Sequence, residues 1–149
     1  MQTFLPYPDF KRSVSVLDDK RLGKQRVECL KILKALETGK GWIHHPATKM
    51  WEGYEDALKD YMNECIIEWG RRGFKNNMQL NEIKVNYCLP HWFGDEDYHR
   101  SHKQNLLRKD FGYYCTIFRQ DWSDDWYVWV VNGRKFKKKV NSKERVYFK

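Results

Sequence analysis

The chain has 149 residues, a length that suits one compact domain with a single core. Aromatic residues make up 16% of it, too many for a disordered chain, and no apolar run approaches the roughly 18 residues of a membrane helix. Its formal net charge of +8 is uneven, because residues 131–149 hold eight Lys or Arg against one Glu. A basic end of this kind attracts nucleic acid without reading its sequence.

The chain opens on MQTFLPYPDF, an apolar stretch broken by Pro6 and Pro8 that reads as an extended arm packed on the domain. A long helix follows, with Ser15 or Asp18 to cap its start and Gly39 and Gly41 beyond its end. Leu22, Cys29, Leu30, Leu33 and Leu36 recur at helical spacing and are expected to face the core. At 100° per residue, Arg21, Lys24, Glu28 and Lys31 fall in one sector of about 80° on another side. One carboxylate among cations on a helix face is what an acid or base working against a phosphate backbone requires. It is also what an ordinary solvated face looks like.

GWIHHPATK reads as a loop, with Pro46 opening a second helix over about Ala47 to Arg71 that Gly73 ends. The apolar side of that helix is Met50, Trp51, Tyr54, Leu58, Tyr61, Met62, Cys65, Ile66 and Trp69. Met78 to Tyr87 is compatible with a short helix, and LPHWFGDEDY with a loop that turns near Gly94. A third helix is expected from about Asp97 to Lys109, carrying His99, His102, Asn105 and Arg108 on neighbouring turns. DWYVWVVNGRKFKKKV then alternates around Asn132-Gly133, a two-residue hairpin signal. The whole reads as an all-α single domain over 1–149, with about three main helices, a small C-terminal β-hairpin and a basic ribbon or tail at about 122–149.

The cysteines stand at 29, 65, 88 and 115, without the short-spaced pairs of a structural zinc site, so no metal and no cofactor are expected. Buried thiols in a reducing, cytoplasmic setting and a monomeric state are the default.

Three segments resemble a known family. DDKRLGKQRVECLKI resembles the catalytic-glutamate helix of the phage-type pyrimidine-dimer DNA glycosylase/AP lyases, with Glu28 at the glutamate's place. YEDALKDYMNECIIEWGRRGF is similar to that family's second helix, and LPHWFGDEDYHRSHKQNLLRKDFGYY to its last helix and Tyr-rich end. MQTFLPYPDF and HHPA narrow the resemblance to a bacterial and phage branch, and together the segments cover about residues 1–118. The resemblance implies an all-α, metal-free domain that binds damaged duplex DNA and flips a nucleotide. It also implies attack by the α-amine of the mature N-terminus on C1′, with the helix glutamate assisting ring opening and β-elimination. An α-amine titrates near roughly 7.7–8.0 in model peptides, far below lysine at about 10.4, so much of it is nucleophilic at neutral pH.

This reading makes Glu28, Met1 and Lys24 the candidate catalytic groups. Arg21, Arg26, Lys31, His44, His45, His99, His102, Asn105, Arg108, Lys109, Lys135 and Lys137 become candidate DNA contacts. Trp51, Tyr54, Phe111, Tyr113 and Tyr114 are candidates to stack on a base. The family's active members carry a small residue after the initiator Met, whereas this chain has Gln2. Three readings stay open: the Met1 amine as nucleophile, Lys24 in its place, or a glycosylase in which Glu28 activates water. The substrate is accordingly a damaged or modified pyrimidine. A non-catalytic nucleic-acid-binding module and an RNA-directed enzyme are the alternatives.

Overall fold

The structure is a computed structural model and describes residues 2–119, 126–131 and 133–139. Met1 and the segment 140–149 lie outside the described residues. The described part is mostly helical, with one small C-terminal hairpin.

Residues 2–9 form the extended arm, and Asp9 caps a short helix that the sequence pattern did not reveal, α1 (Phe10–Ser15). Its six residues are too few for periodicity to register. Asp18 caps α2 (Asp19–Thr38) by accepting from Arg21 N–H, and Gly39 ends it at φ 70°.

The buried face of α2 is Leu22, Gln25, Cys29, Ile32 and Ala35. Leu30, Leu33 and Leu36, expected in the core, are only partly buried at its edge. The face is rotated because a polar residue, Gln25, occupies its centre.

The single helix expected over Ala47–Arg71 is two helices, α3 (Pro46–Trp51) and α4 (Glu55–Arg71). The break falls at Gly53, whose φ of 84° is open to glycine and strained for other residues. Both pieces bury their apolar side in one core, so the apolar spacing runs on across the break.

Residues 78–87 do not form the short helix that was expected. Side chains of α4 hold this segment instead. Asn63 Oδ1 accepts from Asn81 N–H at 2.7 Å, and the Tyr87 hydroxyl donates to Asp60. Asp95 caps α5 (Glu96–Lys109), and α6 (Phe111–Tyr114) follows. Strands β1 (Trp126–Val131) and β2 (Arg134–Lys139) pair antiparallel, with Val131 opposite Arg134 across the expected turn. The hairpin buries Val128, Trp129 and Val130 in the common core, which supplies the packing that a lone hairpin lacks.

Candidate active site

The arm is extended and, among the described residues, pairs with no sheet. Its backbone groups must be satisfied all the same, and side chains of three helices satisfy them. From α2, the Gln25 amide donates from Nε2 to the Gln2 carbonyl at 2.8 Å and accepts at Oε1 from Phe4 N–H at 2.9 Å. From α4, the Tyr61 hydroxyl lies 2.6 Å from the Phe4 carbonyl and 2.9 Å from Gln25 Oε1, and its one proton serves either. From α5, His102 Nδ1 accepts from Leu5 N–H at 2.8 Å. His99 Nδ1 donates to the Leu5 carbonyl at 2.7 Å while its Nε2 accepts from Gly94 N–H at 2.9 Å. Trp51 Nε1 also donates to Thr3 Oγ1 at 3.0 Å.

These partners define protonation states. His99 accepts through one ring nitrogen and donates through the other, so it is neutral. Burial lowers the pKa of His99, and that of His102 falls well below the ordinary histidine value for the same reason, with His99 nearby adding to it. Burial likewise raises the Tyr61 hydroxyl well above its ordinary value, which keeps it a donor.

At the start of this arm, Gln2 N–H donates to Glu28 Oε2 at 2.9 Å. Gln2 is buried and Glu28 half-buried, so the carboxylate stands where the arm begins and where α2 meets solvent. Lys24 and Lys31 lie exposed on the same flank of α2. Arg21, also on that flank, is engaged with Asp18 at 3.1 Å and reaches the Lys109 carbonyl at 3.5 Å. Asp18 in turn accepts from the Tyr114 hydroxyl.

Several other candidates take different places. Arg26 points to the opposite edge of α2, its guanidinium 4.1 Å from the Trp69 ring. His45 caps α3 by accepting from Ala47 N–H at 3.0 Å, whereas His44 is exposed. His99, His102, Asn105 and Arg108 are not on an open surface; each is buried, Asn105 and His102 completely. Arg108 donates to Asn105 Oδ1 and lies 5.3 Å from the Tyr127 ring. Lys109 is half-buried at the end of α5. Lys135 bridges Asp95 and Asp97 at 3.0 Å each, and Lys137 is exposed. Of the stacking candidates, Trp51 and Tyr114 are core residues, Tyr54 is half-buried, and Phe111 and Tyr113 are exposed.

Gln25 and Tyr61 were not singled out as site residues from the sequence. The one available signal was a glutamine at core spacing between Leu22 and Cys29, a place where a polar side chain needs a buried partner.

The family model described as pyrimidine dimer DNA glycosylase matches residues 1–82, just over half of the chain. No curated protein and no solved structure matches it. The matched stretch contains the arm, Gln25, Glu28 and Tyr61, and ends before α5.

Proposed function

The chain belongs to the pyrimidine dimer DNA glycosylase family of DNA repair enzymes, and from that premise we propose that it removes a damaged or modified pyrimidine from duplex DNA by amine catalysis beside Glu28. The observation that carries this reading is the 2.9 Å contact between the amino end of the arm, at Gln2 N, and Glu28 Oε2.

The reacting group is a terminal amine, either that of Met1 or, if Met1 is removed, that of Gln2 itself. Its lone pair attacks C1′ of the flipped nucleotide. The C1′–N1 bond breaks, and the base leaves with the electron pair and takes a proton. Loss of the amine proton and opening of the sugar ring give an imine between the chain and C1′. The Glu28 carboxylate is placed to accept the amine proton and return it to the ring oxygen. In a lyase step, a base removes a C2′ proton and the 3′ phosphate departs as β-elimination completes. Water then hydrolyses the imine and restores the amine.

Lys24 and Lys31 flank the carboxylate and neutralise phosphates without reading bases. Lys24, exposed one turn before Glu28, is the second candidate nucleophile.

Substitution Glu28→Gln tests the reading. Base release and strand cleavage on dimer-containing duplex DNA are expected to fall by at least about 100-fold, with DNA affinity kept or improved. Wild-type cleavage by Glu28→Gln would remove Glu28 from the chemistry. Tight, salt-dependent binding with no base release by the wild type would favour a non-catalytic binding module.

A further inference from the structure

Gln25 makes a pair of bonds that a neighbouring β-strand would otherwise supply. One amide spans Gln2 and Phe4, donating to the first and accepting from the second, at 2.8 Å and 2.9 Å. Both ends are needed: a carbonyl demands a donor, and an N–H demands an acceptor, so the orientation of the amide is fixed by its partners.

Gln25 is 1% exposed and sits one turn before Glu28 on the same helix. The Tyr61 hydroxyl, on α4, touches both Gln25 Oε1 and the Phe4 carbonyl. The carboxylate and the clamp are therefore carried by one rigid element, and the clamp is buttressed from a second. A helix-borne amide holding the arm at residues 2 and 4 sets how close the arm's first nitrogen comes to Glu28.

We propose that Gln25, supported by Tyr61, is the positioning residue that holds the start of the arm, at Gln2 N, beside Glu28 for reaction. This rests on the amine-catalysis reading above. It adds that the nucleophile is aimed by a buried side chain rather than by sheet pairing.

The consequence concerns geometry rather than affinity. Gln25 is buried and its polar atoms are used on the arm, so it offers nothing to DNA. Its loss should slow formation of the covalent intermediate without weakening binding. Displacing a reacting group by about 1 Å costs roughly 100-fold in rate.

The test measures two quantities on full-length protein with a duplex containing an abasic site. The first is the rate of borohydride-trappable adduct formation at saturating DNA. The second is the dissociation constant at fixed salt. Gln25→Leu should lower the trapping rate by about 100-fold and leave the dissociation constant within about twofold. Gln25→Glu keeps the acceptor for Phe4 N–H but loses the donor to Gln2, and should fall between wild type and Gln25→Leu.

Tyr61→Phe keeps the ring and its packing and removes only the hydroxyl. It should lower the trapping rate about fivefold, and it decides the matter if Gln25→Leu does not fold. Wild-type trapping rates in Gln25→Leu, or in Tyr61→Phe where the former is unfolded, would overturn the positioning role and leave amine catalysis standing. A wild-type protein that binds the duplex yet traps no adduct at its amino end would overturn catalysis by the terminal amine and the positioning role with it.

Discussion

Gly23 stands in the middle of α2, where glycine costs about 0.5–1 kcal/mol relative to alanine. Its partner explains its presence. A Cβ at this position would lie 3.0 Å from Trp69 Cζ3 and 3.2 Å from Cη2. The indole cannot step aside easily. It stacks on Phe74 at 4.2 Å, carries Arg26 on a ring face at 4.1 Å, and donates from Nε1 to the Lys75 carbonyl at 3.0 Å. Gly23→Ala should therefore destabilise the protein by about 1 kcal/mol despite the better helix propensity. Urea denaturation measures this, and equal or greater stability would show that the ring yields. Residue 69 is far along the chain, so nothing in the local sequence announces the contact. The same distance hides the role of Arg26, which reads as one more cation until its aromatic partner is known.

At the scale of elements, the long helices were legible because their apolar spacing and caps agree. Asp18 and Gly39 bracket α2, and Asp95 caps α5, which starts at Glu96, one residue before the expected start. The break at Gly53 was not legible, because Trp51 before it and Leu58 after it enter the same core. Polar residues on α5 were legible as a cluster and not as buried. Two histidines whose bonds go to the backbone of Leu5 look, in sequence, like two donors for DNA.

Their burial gives α5 and the arm a common dependence on pH. Both histidines have folded values below the unfolded one of about 6.5. The unfolded chain thus takes up protons first as pH falls, so stability is full above about 6.5 and declines below it. Glu68 and Asp95 do not mask this window. Arg71 and Arg72 hold the first below the usual carboxylate range, and Lys135 does so for the second against its burial, so both titrate at lower pH.

The urea midpoint should fall between pH 7.5 and 5.5. His102→Asn keeps an acceptor for Leu5 N–H and loses the titration. It should reduce the decline by up to about 1.4 kcal/mol per pH unit, the share of one proton. An unchanged decline would place the acid sensitivity elsewhere.

For the whole molecule, helical class and terminal hairpin followed from pattern and from resemblance, and the position of Glu28 on a cationic flank followed from helix geometry. The way the arm is held did not. It depends on bonds between residues 2–5 and side chains at 25, 61, 99 and 102, pairings that periodicity cannot express. The fold brings the arm from Gln2 onward, the middle of α2 and the first turns of α5 to one place. Exposed Lys24 and Lys31 remain on the outer side, where a phosphate backbone can approach. On the proposed reading, the net charge of +8 serves encounter with DNA, while the chemistry rests with an uncharged clamp and one carboxylate.

The most direct measurement is the site of covalent attachment. The protein is incubated with abasic-site duplex, reduced with borohydride, and digested for peptide mass spectrometry. Catalysis by the terminal amine at Glu28 requires the adduct on the amino-terminal peptide, at the α-amine of Met1 or of Gln2, with the same spectrum showing which residue comes first. An adduct on Lys24, or none from a protein that has bound the duplex, would contradict a mechanism in which the arm delivers the nucleophile.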